Sequence, residues 1–530
     1  MMRLRAASPG APSLRYGAAW SACGLLAVLA VAWLPLLPTL PALLSFGGLS
    51  ELAEPRLRAL FLRTAAFAAG SALIASLVGA PLGLIAARVR MRGAEVLELL
   101  LPLPLLLPPL LIAQSWHGLT GMDGMSSALF CLGLCYAPLP ALLVARALAR
   151  QGIGAHQAAV LAGGRRLALA EMARCAAPAA VLGGALAFLF TLTDFAVADY
   201  FGAVGEKFTV YSFEVFTHWR ESDYRGGARA AAPLVALAGA VLFFTLLWGD
   251  RDVGGGGASR PPRLGLGRGN WIAGGLGIAL IAMVLVVPLG RVLYETGMRG
   301  PVGEGAWLAR SGAAFRDAAQ RGGPDLGRSI VTGLMAGALA MVLAPVPAHL
   351  LARMRPGAAR SLLGVAIALP LLAPAVGYGL GAILVFNRDL FGNFYESRLL
   401  PAVVLAGRYT PLAVFLLAER LRALPRSGEQ AAALAGISQP AVLWRQRLAA
   451  QRPAWLLAGG LVLVFAIREL DLAVLLPGAN RSAAVRYYNA LHFARDNFVA
   501  AFGAMIAAVL FLPLALQAAV RGLRPATETA

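Results

Sequence analysis

The sequence predicts an all-α polytopic membrane protein with about twelve transmembrane helices. Of its 530 residues, 59% are hydrophobic and only 14% are charged, whereas a soluble domain carries about a quarter charged residues. The mean hydropathy is +0.72. Apolar runs of roughly 20 residues, the length that crosses the hydrocarbon core of a bilayer, recur along the whole chain.

Windows of this length predict each span in turn. They lie near 18–44, 64–87, 95–116, 127–147, 177–198, 230–248, 271–292, 329–352, 361–386, 400–418, 454–477 and 499–519. The first is too long for the apolar region of a cleaved signal peptide, so we expect it to remain as a span. Prolines predict bends in the third and ninth spans, at Pro102, Pro104, Pro108 and Pro109 and at Pro370 and Pro374.

The net charge of +20 has two explanations, a nucleic-acid partner or a place in a membrane. Basic chains often bind nucleic acid. Here nearly all the charge is arginine, placed in short loops between apolar runs, as the positive-inside rule expects. Loops holding Arg88, Arg90 and Arg92, or Arg353 and Arg355, alternate with loops of mixed sign. The pattern favours membrane lipid as the surroundings, no nucleic acid, and both termini in the cytoplasm.

The chain also repeats itself. Residues 249–270 form a Gly, Pro and Arg linker, predicted to be cytoplasmic, between a first half, 1–248, and a second half, 271–530. Gly163 and Gly436 are 273 positions apart, Pro178 and Pro453 are 275 apart, and Asp194 falls opposite Glu469. Duplicated halves are common in transporters.

Each half contains a polar elbow between apolar runs, at 156–178 and 429–453. In the second, Ala and Leu favour a short helix, and Gly436 can end it in the left-handed conformation. Ser438 can then cap a second helix with Pro440 in its first turn. The conspicuous residues are Gln157, Ala158, Ala159 and Gly163 in the first elbow and Glu429, Gln430, Ala431, Ala432 and Gly436 in the second. The alternative is an ordinary cytoplasmic loop.

The order Gln430-Ala431-Ala432, Gly436, Leu448 and Pro453 resembles the EAA loop of ABC-importer permease subunits. Gln430 stands where that loop has Glu, although Glu429 precedes it, and Ala449 stands where it has Pro. The stretches Leu192–Gly202 and Phe465–Gly478 are similar to those of duplicated ferric-iron permeases. Thiamine permeases share the twelve-span plan, and polyamine and phosphonate importers use related halves.

This resemblance implies two six-helix type I ABC-importer permease halves in a bacterial inner membrane. It implies a partner ABC ATPase, as a homodimer, that grips both elbows and carries the ATP and Mg. It also implies a periplasmic solute-binding protein that delivers ferric iron, with thiamine, polyamine or phosphonate as alternative cargoes.

The chain is not expected to hydrolyse ATP itself. A P-loop needs a lysine after glycine, but the only lysine, Lys207, follows Glu206. The four cysteines and five histidines show no metal-ligand spacing, so neither a metal site nor a cofactor on this chain is expected.

Ionisable residues follow each elbow at the end of the next span. They are Asp194, Asp199 and Tyr200 in the first half and Arg468, Glu469 and Asp471 in the second. A charge inside a span costs a few kcal/mol unless it faces a partner or water, which makes these residues candidates for the translocation path. The alternative is that they mark solvated helix ends.

Two other classes of protein share some of these features. An ion-coupled secondary transporter explains the spans and the repeat, but it favours ionisable groups at mid-membrane and gives no reason for two matching elbows. A multi-span enzyme of envelope or polymer synthesis would need a carboxylate or histidine cluster in a large outer loop. The long outer loops, 201–228, 294–328 and 478–498, instead carry aromatic residues and arginine, suited to docking another protein or to packing on their own bundle.

Overall fold

The structure is a computed structural model that describes residues 12–45, 50–151, 153–249, 262–298, 306–477, 481–493 and 497–522. Within these ranges every regular element is a helix, and the sole β-type contact is an isolated bridge between Val89 and Leu264. The all-α prediction is therefore confirmed. Arg3, the linker glycines Gly254–Gly257 and Gly478 lie outside the described residues.

Among the described residues, the first half supplies nine helices besides the short helix Leu40–Leu44. They are α1 (Pro12–Trp33), α2 (Pro55–Arg88), α3 (Ala94–Leu106), α4 (Pro109–Thr120), α5 (Gly124–Arg150, with a turn at Ala137), α6 (Ile153–Thr193), α7 (Ala196–Val204), α8 (Tyr211–Arg220) and α9 (Tyr224–Gly249).

The second half repeats much of this order. Its helices are α10 (Gly269–Glu295), α11 (Trp307–Leu343), α12 (Pro345–Arg353), α13 (Ala358–Leu372), α14 (Ala375–Phe386), α15 (Leu399–Arg422), α16 (Ser427–Leu434), α17 (Gln439–Ala450), α18 (Arg452–Arg468), α19 (Ala483–Phe493) and α20 (Asn497–Gly522).

Among the described residues, fewer spans can be counted than the twelve that the sequence predicted. Eight described helices are long and apolar enough to cross a membrane, and three bent helix pairs raise the number to at most eleven. The span predicted near 499–519 falls in α20, whose described apolar part, Asn497–Pro513, is shorter than a span. The protein is thus a multi-pass membrane protein, and the number of twelve spans stays a prediction.

Two of the bent pairs sit at matching places in the halves, as their prolines predicted. The axes of α3 and α4 differ by 98°, and those of α13 and α14 by 89°. At the breaks, Leu107 and Ala373 have ψ of 143° and 147°, because the residue before a proline is pushed out of the helical region. The third pair, α17 and α18, bends by 87° at Gln451.

Each half is organised around three closely packed helices, α2, α5 and α6 in the first and α11, α15 and α18 in the second. Glycines permit the close approach. A Cβ at Gly83 would lie 2.2 Å from the carbonyl oxygen of Ala141, and one at Gly337 would lie 2.7 Å from that of Gly459. Small residues at helix interfaces are typical of membrane bundles.

The halves interlock instead of lying side by side. The first helix of each half packs on the other half, α1 against α12 and α15, and α10 against α2 and α4. The bridge between Val89 and Leu264 also fastens the end of the linker beneath α2, where Leu264 packs among Ala168 and Met172 of α6. The described end of the linker therefore makes an apolar contact with the bundle.

We predict that Gly337→Ala lowers the thermal unfolding temperature of the purified protein, because the new methyl group would meet the backbone of α18. Gly327→Ala on the same helix is the matched control, since a Cβ there meets nothing within 4 Å. Alanine favours a helix over glycine by about 1 kcal/mol, so the control should be unchanged or stabilised. Equal shifts in both variants would contradict close packing at Gly337.

Candidate translocation site and coupling elbows

The second elbow begins with α16, which ends as the sequence predicted. Gly436 has φ of +73°, the left-handed conformation. The N–H of Gly436 donates to the carbonyl of Ala433 at 3.1 Å, and the N–H of Ile437 donates to that of Ala432 at 2.9 Å. These are the two hydrogen bonds of a Schellman motif, which satisfy carbonyls at the helix end.

The second helix of the elbow, α17, starts where predicted but without the predicted side-chain cap. Ser438 occupies the N-cap position with extended backbone, ψ 147°, and Pro440 lies in the first turn, but the Ser438 side chain makes no capping hydrogen bond. From Val442 to Arg447 the helix widens to a π-helix. α17 is thus a separate short helix, set nearly at right angles to α18.

Glu429 points into the protein and fastens the elbow to the bundle. Its carboxylate pairs with Arg447 of α17 and lies 3.5 Å from Arg353 of α12, and only 10% of its side chain is exposed. Arg353 also donates to Gln439 at 2.8 Å, and Arg447 donates to the carbonyl of Leu421 in α15. Gln430, beside it in the sequence, is exposed.

The first elbow is built differently. Gly163 (φ −148°, ψ 18°) and Gly164 (φ +59°, ψ −148°) interrupt α6, but the chain then continues as one helix to Thr193. It has no counterpart of the 87° bend at Gln451. The carboxylate clamp is also missing, because position 156, which matches Glu429, is a histidine whose side chain lies outside the described residues.

Despite this difference the two elbows present the same surface. Gln157, Ala158 and Gly163 are exposed, as are Gln430, Ala431 and Gly436. Ala159 and Ala432 are each 8% exposed. Leu161 and Leu434, at equivalent positions, are 87% and 91% exposed. Two large apolar side chains thus lie uncovered at matching places in the two halves.

A cavity of about 80 Å³ lies between the halves. Phe190 and Phe465, which occupy equivalent positions in the two halves, line this cavity with their ring centroids 6.5 Å apart. Each ring packs on a tyrosine: Phe190 on Tyr136 at 5.4 Å, and Phe465 on Tyr409 at 5.5 Å. The cavity is also lined by five charged residues, Asp194, Arg408, Arg468, Glu469 and Asp471. Four of these are path candidates from the sequence, so the structure brings them together.

The carboxylates of the two halves play matching local roles. Asp194 accepts the N–H of Val197 at 3.0 Å, and Glu469 accepts the N–H of Leu472 at 3.1 Å. Asp471 joins the halves by accepting the N–H of Phe195 at 3.1 Å. The side chains of Asp194 and Asp471 are half-buried and line the cavity.

Two buried arginines satisfy the carbonyls that the broken helices release. Arg408 donates to Ala373 at 3.0 Å and to Pro370 at 3.4 Å, at the end of α13. Arg468 donates to the carbonyl of Leu105, at the end of α3 in the other half. Helix C-termini attract cations, and carbonyls within a bilayer must find such partners.

The depth of this cluster bears on whether these charges line a path or mark solvated helix ends. At 1.5 Å per residue, α18 rises about 25 Å and α3 about 20 Å from their elbow-side ends to the cluster. A hydrocarbon core is about 30 Å thick. The charges therefore lie at the ends of these helices, about 20–25 Å from the elbow side, which is less than the thickness of a hydrocarbon core.

The remaining candidates lie outside this cavity. Asp199 accepts the hydroxyl of Tyr488 at 2.5 Å and lies 3.5 Å from His492. Tyr200 is buried, with its ring against His117 and Phe201. Both residues contribute to packing between α7 and its neighbours at one end of the bundle.

The sequence did not single out Arg408 or Tyr409, although Tyr409 donates to Glu469 and Arg408 stacks near Tyr378. A signal for Arg408 was present, since it is a charge within the apolar run 400–418. Tyr136 and Tyr409 also stand 273 positions apart, as Gly163 and Gly436 do. Among the described residues, no group of three or more His, Cys, Asp or Glu side chains could hold a metal ion.

No family model and no curated protein matches the chain. The features of the chain that bear on its function are therefore the internal repeat, the elbows and the polar cavity.

We predict that Arg408→Met destabilises the protein by about 1–3 kcal/mol, the cost of leaving a buried hydrogen-bonding group without a partner. Arg408→Lys keeps a cation that can reach the same carbonyls, so it should lower the free energy of unfolding by less. Chemical or thermal unfolding in detergent measures both variants. Equal stability of the methionine variant and the parent would show that these carbonyls need no cation.

Proposed function

We propose that the chain is the membrane-spanning permease subunit of an ATP-driven ABC importer. The observation that carries this proposal is the pair of exposed elbows with the shared sequence Gln-Ala-Ala-x-Leu-Ala-Gly, at 157–163 and 430–436. Both follow helices whose ends meet, since Arg146 of α5 pairs with Glu419 of α15 at 2.5 Å. The elbows thus lie at the same end of the bundle, where a two-fold partner can bind both.

The contacts of the elbows suit the transmission of force. Movement of α16 carries α12, α15 and α17 with it, because Glu429, Arg353 and Arg447 bind these elements together. Movement of the first elbow travels along α6 itself, a single helix from Arg165 to Thr193, directly before Asp194. Both elbows are therefore connected to the central cavity, each by a different route.

In this proposal the partner is a homodimeric ABC ATPase that supplies ATP and Mg, because the only lysine of this chain stands outside any P-loop pattern. The chain lies in a bacterial inner membrane with both termini in the cytoplasm, and a periplasmic binding protein delivers the cargo to the opposite end. ATP closes the ATPase dimer, the elbows move together, and the bundle opens outward.

We propose ferric iron as the cargo, on the resemblance of Leu192–Gly202 and Phe465–Gly478 to ferric-iron permeases. Thiamine, polyamine and phosphonate are the alternatives. The cavity holds three carboxylates and two guanidinium groups, Arg408 and Arg468, a mixed set that gives no ready metal-binding cage. Iron would accordingly pass through this site without being held by a full set of ligands.

An ion-coupled secondary transporter is the second candidate, and one observation favours it. Asp194, Glu469 and Asp471 line the cavity at the interface of the halves. Carboxylates at such a place are typical of ion-coupled carriers. This class gives no reason for two exposed elbows of the same sequence.

The ATPase activity of a complex with the ATPase encoded beside this chain distinguishes the candidates. The complex is reconstituted in nanodiscs and tested with binding proteins loaded with ferric iron, thiamine or a polyamine. Stimulation by the iron-loaded protein alone supports both the mechanism and the cargo. Stimulation by another ligand supports the importer and rejects iron. Failure of any ATPase to associate rejects the importer in favour of the secondary transporter.

We predict that Leu434→Glu and Leu161→Glu each lower the amount of ATPase that co-purifies, by at least about tenfold for a buried apolar contact at an interface. Both side chains are almost fully exposed, so folding and membrane insertion should be unaffected. Leu390→Glu, at an 86% exposed leucine away from the elbows, is the matched control. Full ATPase recovery with both elbow variants would contradict docking at these leucines.

A further inference from the structure

Arg146 and Glu419 make an unusual contact, because they occupy equivalent positions in the two halves. They are 273 positions apart, the same offset as Tyr136 and Tyr409, Leu148 and Leu421, or Gly163 and Gly436. When two such residues touch each other, their contact must straddle the pseudo-two-fold axis that relates the halves. Here Arg146 lies 2.5 Å from Glu419, and Arg150 pairs with the same carboxylate.

A second contact between equivalent residues fixes another point on this axis. Phe190 and Phe465 touch across it in the central cavity. From Tyr136 of the cavity to Arg146, and from Tyr409 to Glu419, the helices descend ten residues, about 15 Å. The axis therefore runs from the cavity to the ion pairs, along the direction that a solute would take toward the elbows.

We propose that Arg146, Arg150 and Glu419 form an ion-pair gate that closes the elbow-side mouth of the translocation path. The proposal rests on the transport function proposed above and adds path residues to it. The gate is closed in this structure, because Glu419 of the second half is shared by two arginines of the first. Opening the path between the halves requires both pairs to separate.

The strength of these pairs suits a gate that opens in every cycle. Their side chains are half-exposed, 46% for Arg146, 50% for Arg150 and 31% for Glu419. Exposed ion pairs contribute little, about 0–1 kcal/mol each. Conformational change can therefore break them at modest cost, whereas a fully buried pair would hold the mouth shut.

The gate is connected directly to the second elbow. Arg447 of α17 donates to the carbonyl of Leu421, two residues after Glu419, and also pairs with Glu429 of α16. In the first half the equivalent carbonyl, that of Leu148, accepts a hydrogen bond from the buried Arg88 at 3.2 Å. Separation of α16 and α17 from the bundle would thus pull on the helix end that carries Glu419.

Glu419 is the acidic member of an otherwise basic mouth that includes Arg420 and Arg422, both close enough to affect Arg150 electrostatically. Loss of its charge leaves Arg146 and Arg150 of the first half facing Arg420 and Arg422 of the second, with like charges on both sides of the axis. Neutralisation of Glu419 should therefore do more than remove the two ion pairs. The remaining like charges should repel each other and open the mouth.

The test measures access to the cavity from the elbow side without ATP, an ATPase or a cargo. A reporter cysteine, Thr193→Cys, lines the cavity, in a protein whose four native cysteines are replaced by alanine. Inverted membrane vesicles are treated with a membrane-impermeant cationic thiosulfonate, and the rate of modification is recorded. The variants are Glu419→Gln, the double change Arg146→Gln with Arg150→Gln, and the full charge reversal Glu419→Arg, Arg146→Glu and Arg150→Glu.

We expect modification about three- to tenfold faster in Glu419→Gln and in the double glutamine variant, in line with the loss of two half-exposed pairs. The full reversal restores the pairs and should return the rate to that of the parent. Glu98→Gln, which breaks the 3.1 Å pair with Arg263 away from the axis, is the matched control and should change nothing.

Rates within twofold of the parent in both neutral variants would overturn the gate, as would a full reversal as fast as Glu419→Gln. Because no nucleotide is present, these outcomes concern the gate alone. Failure of the ATPase to associate would reject the importer and leave the gate result in place.

Discussion

The need to satisfy backbone carbonyls inside a membrane explains much of this architecture. Prolines break the third span of each half, at Leu107-Pro108 and Ala373-Pro374, and the helices that end there release carbonyls far from bulk water. Arg408 and Arg468 supply the missing donors. Two cations placed so deep in turn attract Asp194, Glu469 and Asp471. The charged cavity between the halves can thus be understood as a consequence of breaking two helices at matching depth.

The same constraint links the halves. Arg468 belongs to the second half but binds Leu105 of the first, and Asp471 accepts the N–H of Phe195 in the same manner. Any relative motion of the halves must exchange these hydrogen bonds for water or for other partners. A transporter that alternates between two arrangements needs such exchangeable contacts at its centre, and the ion pairs of Arg146, Arg150 and Glu419 are a weaker set of the same kind near the elbows.

The sequence predicted those features that depend on local chemistry. Apolar runs located the helices, prolines located the bends, and Gly436 located the left-handed end of α16. It could not predict that α6 runs without a bend past Pro178 while α17 and α18 meet at 87°, because the difference arises from tertiary contacts such as the ion pair of Glu429 with Arg447. Nor could it place Arg408, whose role depends on a carbonyl 35 residues away in the chain.

The two elbows are held by different contacts but expose the same residues. A symmetric partner needs such matching surfaces on the two unequal halves of one chain. The most direct measurement of this idea is the stoichiometry of the complex with the ATPase, by native mass spectrometry. One copy of this chain with two copies of the ATPase is the predicted composition, because each elbow binds one. A one-to-one complex would show that only one elbow docks, and recovery of the chain without an ATPase would contradict the importer altogether.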